Sequence, residues 1–546
     1  MTSCLSCVPP VIGSDYDGSH GDRVPGKETL RWFAIAVGIA SSLGGIFIGY
    51  DQGATASALA MDSFLLDFCV DYGKNSLRSC RAQPDVLPRN WVTFTTLYCV
   101  IYCVGGVFGA LFGGPVADRC GRRVATGAGG LLFGVGTLSL VLSPSQWHVM
   151  VLIGRAIQGI GAGISSMAIP VFGVEIAPTK YRGFLSGLMP MAIATGLLLA
   201  NIVSIIADRL DISWRVVEAV ALVPALVVVV STFWLPESPR WLYKHKGRDA
   251  AARVVRRLRR SSEVVQVLCA IRDEVDQQRD DNSSSRSVWT DLSCISSSHH
   301  RYLICMMLQL LQQATGISVV FTYEKDIFGD VIGDSAWPLL VLVILNFFFN
   351  IAAVLCVDLL GRRRLLLTGA AGMLLGHLFA GLAFTAGCHG WTPSSDCSVA
   401  AGSVIFMSAA LFVLTFAISW GQVCWIYSAE VIPFHGRANA VALSVMTNWT
   451  ASAVMFVVPK LLPILNVNGL FFVLAALCAS GGAFAFYWCP ETNGVELHEM
   501  DSLFEKRTDE KPIQENDTDI DAGVAEPTSP LYQETKSPIL PEKKLP

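Results

Sequence analysis

The chain has 546 residues, 52% of them hydrophobic and only 15% charged, where a soluble globular domain carries roughly 25% charged residues. Its 40 Lys and Arg against 44 Asp and Glu give a formal charge of −4, which leaves no basic surplus for gripping nucleic acid. So little charge cannot cover a soluble surface, and the composition is that of a polytopic membrane protein.

Residues 1–30 are polar and lack the short apolar core and cleavage site of a removable signal, so this cytoplasmic N-terminus is expected to be disordered and the first apolar run to act as signal-anchor. A helix needs roughly 20 mostly apolar residues to cross a bilayer. Six such runs, near 31–60, 90–114, 123–143, 147–172, 183–207 and 213–235, form a first bundle over 31–235. Residues 236–300 are charged and read as an intracellular helical linker. Six more runs, near 301–327, 335–357, 364–388, 399–430, 437–460 and 466–489, form a second bundle over 301–489. Residues 490–546 make an acidic, proline-bearing cytoplasmic tail, mostly disordered. The expected fold is an all-α membrane protein with 12 transmembrane helices in two six-helix bundles.

Charge placement orients the spans. Arg119, Arg122, Arg123, Lys180, Arg182, Arg362, Arg363, Arg364 and Arg437 fall in alternate loops, on the same side as the linker cluster Arg253, Arg256, Arg257, Arg259 and Arg260. The positive-inside bias puts that side and both termini in the cytoplasm, with the plasma membrane the expected location. Among the 16 cysteines, Cys99, Cys103, Cys305, Cys356, Cys424 and Cys478 lie in apolar runs, where cysteine is a small buried hydrophobe. Cys69 with Cys80, and Cys388 with Cys397, lie in outer loops, and either pair is a candidate disulfide. No metal cluster, nucleophile–base pair or phosphate loop stands out, so neither an enzyme nor a cofactor is expected.

The two halves repeat. GPVADRCGRR (114–123) returns as VDLLGRRRLL (357–366), EIAPTKYRG (175–183) as EVIPFHGRA (430–438), and PESPR (236–240) as PETNG (490–494), at offsets of 240, 255 and 254 residues. Two similar bundles of the same orientation are the pattern of transporters that rock about a central site.

These strings, with GYDQG (49–53), GRAIQGIGAG (154–163), PESPRWL (236–242) and QLLQQATGIS (309–318), resemble the sugar porter family of the major facilitator superfamily over about residues 31–505. The resemblance implies the major facilitator fold and alternating access, with a sugar and a proton as partners. It also implies a cytoplasmic gate network that holds the outward-open state. That network is Asp118, Arg119, Arg122, Arg123, Glu175 and Arg182 in the first half, and Asp358, Arg362, Arg363, Glu430 and Arg437 in the second. In each D-x-x-GRR loop the glycine permits a tight turn, and acid and arginines can form charge-assisted bonds; the plainer alternative makes the arginines topology anchors only.

Amides in an apolar helix are costly without partners. Gln309, Gln312 and Gln313 fall at i, i+3 and i+4, on one helix face, and Asn346 and Asn448 are similarly placed in apolar runs. Paired amides for hydroxyls, beside an indole such as Trp425, are what a neutral polyhydroxyl ligand requires. The resemblance carries sugar contact onto Gln312, Gln313, Asn346, Trp425 and Asn448; interhelical hydrogen bonding is the alternative. Two departures, Pro190 and Ser318 where the family usually places amide side chains, keep a polyol or pentose open beside a hexose. Asp51 and Arg155 are charges inside apolar runs; they can pair across the first bundle and carry proton coupling. A facilitative uniporter and a transporter-like sugar sensor are the rival readings. The chain is expected to work as a monomer with only the lipid bilayer around it.

Overall fold

A computed structural model describes residues 32–70, 75–80, 88–260, 262–281, 299–322, 337–388, 398–432, 437–458, 462–495, 500 and 503–504. The 1–30 segment, Cys397 and most of the tail lie outside these. All regular structure among the described residues is helical. Eleven helices are long and apolar enough to cross a membrane: Trp32–Ala58, Arg89–Cys120, Arg122–Val141, His148–Ile176, Thr179–Arg209, Trp214–Ser231, His300–Phe321, Trp337–Leu360, Arg362–Gly387, Ala400–Val431 and Asn466–Trp488. The eleventh of the expected twelve is the helix Arg437–Met455, whose Arg437, Asn439, Asn448 and several hydroxyls lower its hydropathy. Numbered in chain order, these are spans one to twelve.

In the first half the second and third spans pack on the fourth and the first on the fifth; in the second half the ninth packs on the tenth and twelfth, and the seventh on the eleventh. The halves meet where the second span touches the eleventh and the fifth touches the eighth. Small residues allow these contacts. A Cβ on Gly159 would lie 2.0 Å from the Tyr102 carbonyl oxygen, and one on Gly163 2.2 Å from that of Gly106, so the second and fourth spans touch backbone to backbone.

Two spans are broken, the tenth of them already bent-looking in sequence around Gly421. The seventh ends one helix at Ala314 and starts another at Ile317, with Gly316 at φ +90°, a conformation in which only glycine is unstrained. The tenth breaks at Ser419, between Val399–Ile418 and Trp420–Val431. The linker contains the helices Pro239–Lys246, Arg248–Leu258 and Val264–Asp281.

The first outer loop carries short helices at Asp62–Leu65, Leu66–Val70 and Leu77–Cys80. A Cys69–Cys80 disulfide staples them. Cys388 is disulfide-bonded as well, its expected partner Cys397 lying outside the described residues. Asp67 ties this cap down, accepting from the Trp214 indole at 2.9 Å, the Ser145 hydroxyl at 2.8 Å and Arg215. Burial pushes its carboxyl up, but these three donors outweigh burial and hold it below the ordinary range. The stability it adds is therefore present above the ordinary aspartate range and is lost as pH falls through the lowered value. Asp67→Asn is expected to cost about 2 kcal/mol at neutral pH, read as a lower thermal midpoint, with wild type and variant converging as pH falls below the ordinary aspartate range. A deficit unchanged by acid would show that the charge is irrelevant.

Candidate functional site

Within the first half the structure brings Asp51 and Arg155 together. Arg155 Nη1 lies 2.6 Å from Asp51 Oδ1, with side chains 2% and 1% exposed. The guanidinium also donates to Gln158 Oε1 and Thr55 Oγ1, both at 3.1 Å, and sits 4.5 and 4.4 Å from the Tyr98 and Tyr102 ring centres. The glycine contacts of the fourth span position it there, because they hold its helix against the strip of the second span that carries both tyrosines. A second buried acid, Glu218 of the sixth span, accepts from the Tyr98 hydroxyl at 3.3 Å. Sequence reading passed over Glu218 because no motif surrounds it, although an acid inside an apolar run is itself a signal.

Asp51 and Arg155 line one central cavity, and the same cavity is lined from the second half by Gln312, Gln313, Asn346, Trp425 and Asn448. Asn448 organises this wall: its Nδ2 donates to Gln309 Oε1 at 2.7 Å and Gln312 Oε1 at 2.8 Å, and its Oδ1 accepts from Gln313 Nε2 at 3.2 Å. Gln312 Nε2 donates to the Trp420 carbonyl at 2.9 Å, in the first turn of the helix that follows the break in the tenth span. Gln309 does not line the cavity; it is fully buried behind it and orients Asn448. Asn346 accepts from Asn350, which accepts in turn from Gln422. The departures noted in sequence stand on the same walls: Pro190 lines the first-half side, and Ser318 Oγ donates to Gln313 Oε1 at 2.9 Å.

The bend that presents this wall is held from behind. His377 of the ninth span, fully buried, donates from Nε2 to the Thr315 carbonyl at 2.9 Å, just before Gly316. Its ring packs on Phe412 and Phe471, with centres 4.3 and 5.8 Å away. His377→Leu would leave that buried carbonyl without its donor, costing about 1–3 kcal/mol at the bend. The expected result is a roughly tenfold weaker affinity for a ligand held in this cavity, relieved by His377→Gln; unchanged affinity in correctly placed protein would show that the bend holds without it.

On the arginine-rich face the repeat appears as geometry. Arg122 reaches Glu175 at 3.0 Å and Asp118 at 3.4 Å; Arg362 reaches Glu430 at 2.9 Å and Asp358 at 2.8 Å. Behind each arginine a glutamate that sequence reading had not assigned, Glu237 or Glu491, accepts the backbone amides of Arg122 and Arg123 or of Arg362 and Arg363. This is why glycine precedes each arginine pair: Gly121 and Gly361 have φ of +101° and +86°, and a Cβ would fall 2.2 and 2.5 Å from those carboxylates. Burial pushes the Glu237 carboxyl above the ordinary range, against the amides of Ser238, Arg123 and Arg122 that favour its charged form. Ser238 and Thr492, the next residues, donate to Glu175 and Glu430. The bridges between halves match too. Asp358 accepts the Gly183 and Phe184 amides of the fifth span at 3.0 and 2.8 Å, and Asp118 accepts from Asn439 of the eleventh at 3.3 Å. Arg182 instead donates to Val495 and Thr179, Arg437 donates to the Ile432 carbonyl, Arg123 and Arg363 bond the Leu235 and Phe486 carbonyls, and Arg119 is exposed.

Comparison with known proteins follows this geometry. The family model described as "Sugar (and other) transporter" matches residues 37–504. Sugar transport protein MST8 of Oryza sativa subsp. japonica is 28% identical over 514 residues, covering 90% of this chain and 94% of the relative. Putative polyol transporter 1 of Arabidopsis thaliana is 28% identical, covering 89% and 94%. The structure of the proton:xylose symporter XylE bound to 6-bromo-6-deoxy-D-glucose superposes with a TM-score of 0.74 at 24% identity, over 86% of this chain and 99% of that one. The inward-open xylose transporter XylE from E. coli, also 24% identical with the same coverages, reaches 0.63.

Proposed function

The chain belongs to the sugar transporter family of the major facilitator superfamily, and from that premise we propose that it is a proton-coupled symporter of a monosaccharide, glucose or another hexose, working by alternating access. As a member of that family it is a multi-pass membrane carrier of sugars or related polyols, not an enzyme. The observation that carries the finer reading is that one cavity is lined by both the Asp51–Arg155 pair and the amide wall around Asn448. A change of charge on one wall is then felt by a ligand on the other, without an intervening relay.

Charge arithmetic supports coupling. Asp51, Glu218 and Arg155 are two acids and one base, all buried, and such a cluster is electrically neutral only with one proton added. Burying an unbalanced charge costs several kcal/mol, so the closed cavity favours the proton-loaded cluster, and opening toward the arginine-rich side lets the proton leave. Ligand hydroxyls replace amide–amide bonds along the wall, and Trp425 offers a ring face to the sugar's C–H side. Both walls come from one chain, so the monomer is the working unit; the positive-inside bias puts the arginine-rich face in the cytoplasm, with the plasma membrane the proposed site. Pro190 on the first-half wall adds no hydroxyl partner, which leaves room for a pentose or polyol in the same cavity.

The test is radiolabelled glucose uptake in a yeast strain lacking its hexose carriers, with and without a proton uncoupler, and with unlabelled hexoses, pentoses and polyols as competitors. Accumulation abolished by the uncoupler is the expected result. Uptake that only equilibrates makes the protein a uniporter, and correctly placed protein with no uptake favours the sensor reading.

A further inference from the structure

The linker helix Arg248–Leu258 shows three different faces. Val254 and Leu258 pack under the first span with Ala34, Val37 and Leu235. Ala251, Ala252 and Val255 pack on Trp241, Leu242 and Leu268 of the neighbouring linker helices. The third face carries Arg253, Arg256, Arg257 and, just past the helix end, Arg260, all exposed. Arg253, Arg256 and Arg257 fall at i, i+3 and i+4 on one helix face, and Arg260 follows after Arg259, whose extended backbone ends the helix. Like charges at i+3 and i+4 repel, and the exposed Asp249 stands one turn before Arg253.

Aromatic side chains fix the height of this stripe. The Arg257 guanidinium lies 5.8 Å from the Phe33 ring centre at the foot of the first span. Trp32 beside it is 85% exposed, and Phe233 and Trp234, which follow the sixth span, are 76% and 79% exposed. Bare aromatic rings at span ends sit at the level of lipid headgroups, and Arg257 stands beside one of them. Arginine is also the side chain whose planar fork grips a phosphate with two parallel hydrogen bonds.

We propose that this stripe is a docking surface for anionic phospholipid of the leaflet on the arginine-rich face, with headgroup phosphate and carboxylate on Arg253, Arg256, Arg257 and Arg260 and acyl chains along Trp32 and Trp234. The inference rests on the reading of the chain as a membrane carrier with this face cytoplasmic, where the leaflet is negatively charged. Because the helix is packed under the first span, lipid charge holds the linker and the first half as one body against the membrane.

The experiment uses the full chain in vesicles of phosphatidylcholine mixed with phosphatidylserine, with co-purified lipid counted by native mass spectrometry. Wild type is expected to retain phosphatidylserine over phosphatidylcholine, and the variant R253Q/R256Q/R257Q/R260Q to lose about tenfold or more of that preference. The all-lysine equivalent is expected to keep part of it, and the pair R253Q/R260Q serves if the fourfold change does not fold. Equal retention in wild type and variant, or no preference in wild type, overturns the proposal. Sugar uptake is read in the same vesicles: uptake without lipid preference sinks this inference alone, whereas lipid preference without uptake supports it and sinks the transport reading.

Discussion

Asp51→Asn is expected to abolish accumulation of sugar against its gradient while leaving exchange of sugar across the membrane within about tenfold of wild type. The contrast follows from what asparagine keeps and loses. Its carbonyl can still accept from Arg155 Nη1, so the hydrogen bond seen at 2.6 Å has a successor and the guanidinium keeps its place between Tyr98 and Tyr102. The charge balance changes instead. With Asp51 gone, Arg155 and Glu218 cancel with no proton bound, and the cavity can close whether or not a proton has arrived. Removing one partner of a buried pair would ordinarily cost about 3–5 kcal/mol; here Glu218, one ring away through Tyr98, offsets part of that. The variant is therefore expected to fold.

The measurement is uptake into proteoliposomes under an imposed pH gradient. One pH unit is worth about 1.4 kcal/mol, so a one-proton, one-sugar carrier concentrates sugar about tenfold per unit, and the variant stops at equal concentrations. Counterflow of labelled sugar against trapped unlabelled sugar, which needs no proton, separates lost coupling from lost transport. A variant that still concentrates sugar sensitively to uncoupler would remove Asp51 from the mechanism and move attention to Glu218.

How much of this was legible beforehand depends on the distance over which each feature is written. Span count and orientation follow from composition and arginine placement, which are local, and the structure has a helix at each expected span. The D-x-x-GRR repeat was equally open to reading, because a positive-φ glycine before paired arginines is a short-range requirement. The partners of those arginines were harder. Glu175 sits seven residues before Arg182, and pairing them is the natural guess, yet Glu175 bonds Arg122, 53 residues away, and Ser238 closes the same carboxylate. Such partners are set by how helix ends meet, which no local pattern records. Gln309 shows the same limit inside the membrane. It shares a helix face with Gln312 and Gln313, but the eleventh span covers it and turns it into support for Asn448. The break at Gly316 leaves the Thr315 carbonyl to His377, a contact set by how the seventh and ninth spans meet.

Arg362→Gln is expected to release the arginine-rich face and shift the protein toward its inward-open form. Arg362 is the only described cation within ion-pair distance of Asp358 and Glu430, whose side chains are 14% and 1% exposed. A neutral amide leaves two acids facing each other with no cation between them, a loss of about 3–5 kcal/mol. That loss falls on the closed form, because there Asp358 also accepts the Gly183 and Phe184 amides across the two halves. Once Asp358 takes up a proton to escape Glu430, it is a weaker acceptor for both amides, and the bridge between the fifth and eighth spans weakens with it. A shift of this size changes the ratio of closed to open forms by about 10²–10⁴, enough to empty the outward-facing form and stop net uptake. Probes on Arg119 and Arg364, both exposed on this face, read the change as a longer inter-probe distance in the variant. Adding Glu430→Gln removes the repulsion and is expected to recover part of the short-distance population. If both variants keep the wild-type distance while uptake is still lost, Arg362 serves transport in some way other than holding this face shut.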